Sequence, residues 1–117
     1  MTTHWTAKNI DAFRYRITSD FLMQLEKKME SETPKISRKE LAKRLNLSPG
    51  RVSQILNGAM DNFSLEKIIE YAQALNMKIS VVAYEDGDPS NTRGPVDSEI
   101  FNECWERQGK PLTFFDL

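Results

Sequence analysis

The stretch NLSPGRVSQILNG, residues 46–58, packs a turn, a helix start and a helix stop into one short run. Ser48 can accept backbone N–H groups as an N-cap, and Pro49 suits the first helical position, where no backbone donor is lost. Val52, Ile55 and Leu56 recur at helical spacing and form the inward side. Gly58 fits the position just past the last turn. Upstream, Asn46 tolerates the left-handed conformation that a sharp turn needs, and Leu47 anchors that turn. Pro49 and Gly50 bring no polar side chain to the first helical turn. Whatever this helix recognises must be met by later side chains or by the backbone.

Working outward, Ser37-Arg38-Lys39-Glu40 matches a capping box, with Ser37 as N-cap and Glu40 reaching back to it. The helix it opens carries Leu41, Ala42 and Leu45 on one face. Pro34 separates it from an earlier helix, whose apolar series Phe13, Ile17, Phe21, Leu25 and Met29 recurs every fourth residue, with Leu22 beside it. Asp11 is the candidate N-cap of that helix, and its Phe and Met residues are expected in the core. Ser64 caps a further helix running to about Leu75, with Leu65, Ile68, Ile69, Ala72 and Leu75 as its apolar stripe.

The period then changes. Residues 78–84, KISVVAY, are β-branched and alternate, which reads as a strand carrying Ile79, Val81, Val82 and Tyr84. A lone strand leaves its backbone unsatisfied. Antiparallel pairing with the same strand of a second subunit would satisfy it; the alternative is an extended segment lying on the helices. Residues 85–96, EDGDPSNTRGPV, read as a linker. In the tail 97–117, Asp97 or Ser98 can cap a short helix bearing Ile100, Phe101, Cys104 and Trp105, stopped by Gly109 and Pro111. Leu112, Phe114, Phe115 and Leu117 end an aromatic, amphipathic segment. The expected fold is mainly α: a helical bundle over 1–84 with one C-terminal strand, the linker, and the helical tail.

The 117 residues suit one domain with an appendage. No apolar run approaches the roughly 18 residues of a membrane span, and the N-terminus lacks the pattern of a signal peptide. Cys104 is the single cysteine, so an internal disulfide and a thiolate metal site are excluded. These features point to a soluble, reduced, cytoplasmic chain. The net charge of -1 conceals an asymmetry. Residues 35–51 carry Lys35, Arg38, Lys39, Lys43, Arg44 and Arg51 against Glu40 alone, whereas residues 85–117 carry eight acidic groups against Arg93, Arg107 and Lys110. A basic patch therefore sits mid-chain, with an acidic segment after it.

Two short helices joined at Asn46-Leu47-Ser48 make a helix-turn-helix. The series Leu41-Ala42, Leu45, Leu47-Ser48-Pro49, Val52-Ser53, Ile55-Leu56-Asn57-Gly58, then Ser64-Leu65, Lys67-Ile68-Ile69, Ala72 and Ala74-Leu75 resembles the Xre (lambda-repressor-like, Cro-type) DNA-binding family. The resemblance covers residues 37–77, with small, apolar, capping and glycine positions in order. It departs in one place: Asn46 stands where that family usually has glycine. The resemblance implies that the second helix of the pair enters the major groove of DNA. It also implies that Arg38 grips backbone or an outer base.

The groove face follows from helical geometry. At about 100° per residue, Gly50, Gln54 and Asn57 lie opposite the buried side, with Arg51 and Ser53 on the flanks. Gln54 can read adenine bidentately and Arg51 can read guanine O6 and N7. The base-contact candidates are thus Gly50, Arg51, Ser53 and Gln54. The phosphate-contact candidates are Ser37, Arg38, Lys39, Lys43, Arg44, Ser48 and Asn57, with Ser48 helped by the helix's N-terminal amides. Taken singly, these polar residues could equally be ordinary surface, and Arg51 could pair with an acidic neighbour.

Catalysis finds little footing. His4 is the sole histidine, Cys104 has no histidine nearby and is expected buried and inert, and no glycine loop cradles phosphate. No enzyme activity, cofactor or metal is expected. The reading is a sequence-specific, homodimeric DNA-binding regulator, a repressor in its simplest form. The alternative is an antitoxin that binds a partner protein and represses its own operon. The tail decides between them, through Ile100, Phe101, Trp105, Phe114 and Phe115: it packs on its own domain or across the dimer, holds a basic partner, or shields the basic patch.

Overall fold

The computed structural model describes residues 6–58, 64–89 and 98–110, the last from its backbone alone over 98–101. Its described elements are five helices: α1 (Ile10–Ser31), α2 (Arg38–Leu45), α3 (Pro49–Leu56), α4 (Leu65–Ala74) and α5 (Ser98–Arg107). The chain divides into two compact units, Met1–Met77 with α1 to α4 and Lys78–Leu117 with α5. None of the described helices is long and apolar enough to cross a membrane.

The first unit is built on Phe21, Leu22, Leu25 and Met29 of α1, Leu41 and Ala42 of α2, Val52, Ile55 and Leu56 of α3, and Tyr71, Ala72 and Leu75 of or beside α4. No polar or charged residue is buried among the described residues. Each of the Val, Leu, Ile, Phe and Met side chains so removed from water stabilises the fold by roughly 1.5–3 kcal/mol before entropy is counted. Helix-end chemistry sets where each element stops. Serine hydroxyls cap three helices: Ser37 accepts from Glu40 N–H at 3.0 Å, Ser48 from Arg51 N–H at 3.1 Å and Ser64 from Lys67 N–H at 3.2 Å. Asn46 ends α2 in the left-handed conformation (φ 57°, ψ 43°), and Asn76 does the same after α4 (φ 59°).

Several expectations are corrected. The N-cap of α1 is Asn9, which accepts from Ala12 N–H at 2.8 Å; Asp11 instead lies in the first turn and pairs with Arg14. The apolar series of α1 is only half core, since Phe13 is 39 % and Ile17 52 % exposed while Phe21 onward is buried. The reason is geometric: residues four apart advance by about 40° per step around a 3.6-residue helix. A series that faces the core at Leu25 has therefore turned away from it by Phe13. Glu40 does not close the capping box, because its carboxylate turns to Arg44 Nε at 3.2 Å. On α4 it is Tyr71 that is buried, whereas Leu65 is 56 % exposed.

The expected strand is also absent. Residues 78–84 carry no strand, and none occurs among the described residues. A strand exists only through its hydrogen-bonded neighbour, and a β-branched run does not supply one. Ile79, Val82 and Tyr84 are half-buried and Val81 is 78 % exposed, so even the simple alternation breaks between Ser80 and Val81. In α5, Cys104 is exposed rather than buried.

Candidate nucleic-acid interface

The pair α2–α3 is joined by the tight turn at residues 46–48. Leu47 N–H reaches back to Ala42 C=O at 2.9 Å and Asn46 N–H to Lys43 C=O at 3.2 Å. These bonds satisfy the last carbonyls of α2 and fix the chain's exit direction. α3 then begins at Pro49 under the Ser48 cap and ends at Asn57 and Gly58, the latter at φ 89°. Its inward side is nearly dry: Val52, Ile55 and Leu56 are 1 %, 3 % and 8 % exposed.

The opposite side is open. Gly50, Arg51, Gln54 and Asn57 are exposed, and Ser53 on the flank is half-buried. A Cβ added at Gly50 would meet nothing within 4 Å, so nothing inside the chain requires glycine there. Arg51 Nη1 donates to Gln54 Oε1 at 3.4 Å, a long and exposed bond that holds the two side chains side by side without locking either. Arg51 also lies within electrostatic reach of Tyr71. Burial pushes the Tyr71 phenol above its ordinary pKa, the Arg51 charge opposes that shift, and Glu70 adds to it. The contribution of Tyr71 to this flank escapes sequence reading, where it shows only as one more aromatic in an apolar helix.

The basic residues separate into two groups. The side chains of Lys39 and Lys43 are exposed and form no ion pair or hydrogen bond among the described residues. Arg38 meets Glu26 at 3.5 Å with both side chains more than two-fifths exposed, a contact of little energetic weight that a phosphate could replace. Arg44 is differently placed: besides Glu40, its Nη1 donates to Ala74 C=O at 3.0 Å, capping the end of α4 from α2. Ser37 and Ser48 each use oxygen lone pairs as caps, so their O–H groups stay available to donate. α3 itself, PGRVSQIL, carries no acidic residue to repel a phosphate.

The tail residues are only partly described. On α5, Trp105 is 37 % exposed and Arg107 pairs with Glu103 at 2.7 Å. Phe114 and Phe115, and the side chains of Ile100 and Phe101, lie outside the described residues, as does His4.

A family model described as helix-turn-helix (HTH_3) matches residues 32–82, somewhat less than half of the chain. No curated protein and no solved structure matches the chain. The matched segment begins beside the end of α1 and contains α2, the turn at Asn46, α3 and α4. Over residues 32–82 the chain is thus similar to helix-turn-helix domains of the Cro/C1, Xre-like type, a match that suggests a DNA-binding transcriptional regulator.

Proposed function

We propose that this chain is a homodimeric regulator that binds a near-palindromic DNA site in a sequence-specific way and represses transcription by occupying it. The observation that carries the reading is the two-sidedness of α3. One side is buried apolar surface; the other is an open, acid-free face of Gly50, Arg51, Gln54 and Asn57. An exposed helix face of this kind, following a tight turn, fits the major groove.

In this reading Gln54 offers its amide to adenine and Arg51 its guanidinium fork to guanine, while Ser53, half-buried, touches the groove edge. Gly50 lets the helix backbone approach the base edges. Arg38, Lys39, Lys43 and Asn57, with the hydroxyls of Ser37 and Ser48, hold phosphates and set the register. Arg44 keeps its place between α2 and α4 and supports the site from behind. The antitoxin alternative rests on residues 97–117, and no described feature of that segment favours it.

Replacing Gln54 with alanine tests the assignment. Binding to the preferred site, measured by fluorescence anisotropy, is expected to weaken by about tenfold to a hundredfold, the worth of one bidentate base contact. Binding to random duplex of equal length should hardly change, because phosphate contacts are sequence-independent. Equal losses on both duplexes would remove Gln54 from the base-reading set.

A further inference from the structure

We infer that the first half of α1 is the surface through which two copies of this chain associate, Ile10, Phe13 and Ile17 of one copy packing against those of the other. The inference rests on the homodimer reading above and supplies the contact that a strand at 78–84 does not.

Three observations converge on it. First, no residue of α1 before Phe21 is buried, although the apolar series continues through Ile17 and Phe13. Ile10, Phe13 and Ile17, spaced i, i+3 and i+7, share one face and are 85 %, 39 % and 52 % exposed. Apolar side chains grouped on one exposed face mark an interaction site more often than isolated ones do.

Second, the face has relief. A shallow, mainly apolar groove runs between α1 and α4, lined by Ile10, Phe13 and Ile17 with Ile68 across from them. Ile10, the most exposed of these, projects furthest into solvent beside it. A knob and a hole on the same patch are what an isologous two-fold contact needs, since each copy supplies both halves.

Third, the charge around the face selects a second copy over a partner of one sign. Arg14 lines the groove and pairs with Asp11 beside it, Lys8 lies between the groove residues Ala7 and Asn9, and Arg16 and Asp20 adjoin the same stretch of α1, so both signs are interspersed. A strongly acidic or basic partner meets as much repulsion as attraction there. A copy turned antiparallel by a two-fold axis presents its acids to the other's bases, so the patch is complementary to itself. The patch includes none of Gly50, Arg51 and Gln54 and neither Lys39 nor Lys43, so self-association and DNA contact do not compete for residues.

Sedimentation equilibrium of the full-length chain, over a range of concentrations, decides the matter. Three proteins are compared: wild type, the double variant Ile10→Asp with Ile17→Asp, and Val81→Asp. All three positions are exposed, and an acid at Ile10 falls in the first turn of α1, where helices favour negative charge. The wild type and Val81→Asp are expected to dimerise alike. The double variant should be monomeric, its dissociation constant raised by about 100-fold or more, with far-UV helicity unchanged. If the double variant loses helicity, Ile10→Asp alone carries the same decision. A double variant that dimerises like the wild type overturns the inference and leaves the homodimer intact, as does dissociation caused by Val81→Asp alone. A wild type that is monomeric both free and on DNA overturns the homodimer reading itself.

Discussion

Glutamate in place of Gly50 is expected to strengthen the fold and abolish DNA binding. Gly50 is the second residue of α3, after the Ser48 cap and Pro49. A side chain there meets no atom of the chain. Glycine is a poor helix former, and an acidic group in the first turn interacts favourably with the helix dipole, so the variant should gain about 1 kcal/mol of stability. Calorimetry would register that as a thermal midpoint raised by several degrees. On DNA the same carboxylate lies at the centre of the groove face, where it blocks close approach of the backbone and faces the phosphates. Affinity is expected to fall by at least about 100-fold, roughly the worth of two base contacts. Gly50→Ala, which adds bulk without charge, should lose less. A Gly50→Glu protein that binds DNA like the wild type would show that α3 does not enter the groove.

The second large effect is on the fold alone. Leu41 is 2 % exposed on the face of α2 that meets the rest of the bundle. Truncation to alanine removes buried methyl groups and leaves a cavity, at a cost of about 2–5 kcal/mol. Small domains have total stabilities of about 5–15 kcal/mol, so the thermal midpoint should drop by roughly 10–20 °C. Leu41 lies away from the open side of α3, so DNA affinity measured well below the midpoint should remain near that of the wild type. The two variants thus separate the roles: Gly50→Glu loses function and keeps the fold, while Leu41→Ala weakens the fold and keeps the recognition chemistry.

The contrast explains which parts of the molecule can be read from the chain. The turn between α2 and α3 is written locally: Asn46 takes the left-handed conformation, Ser48 caps the next helix and Gly58 follows its end. Each is decided by residues within one helical turn, so short-range chemistry is enough. The open face of α3 follows in turn from where Val52, Ile55 and Leu56 point.

What escaped has distant or competing causes. Arg44 reads as one more basic residue of the patch, yet its guanidinium is bound to Ala74 C=O, far along the chain. Glu40 had two local partners to choose between, the Ser37 backbone and the Arg44 side chain, and it took the second. Asn9 and Asp11 both have the oxygen an N-cap needs, and the choice turned on which one met a free N–H. In α1 the apolar residues are regularly spaced yet do not keep one facing, because a spacing of four winds around the helix. The run 78–84 has strand composition, and composition alone supplies no pairing partner.

In the proposed function α3 reads DNA as one of a symmetric pair. The most direct measurement is selection of bound sequences from a random DNA pool with the full-length protein, followed by footprinting of the enriched site. The expected result is a near-palindrome whose half-sites lie about one helical turn apart, some 34 Å centre to centre, with guanine and adenine positions lost from the enriched set when Arg51 and Gln54 are replaced. A pool that never enriches, or an enriched site indifferent to both substitutions, would contradict it.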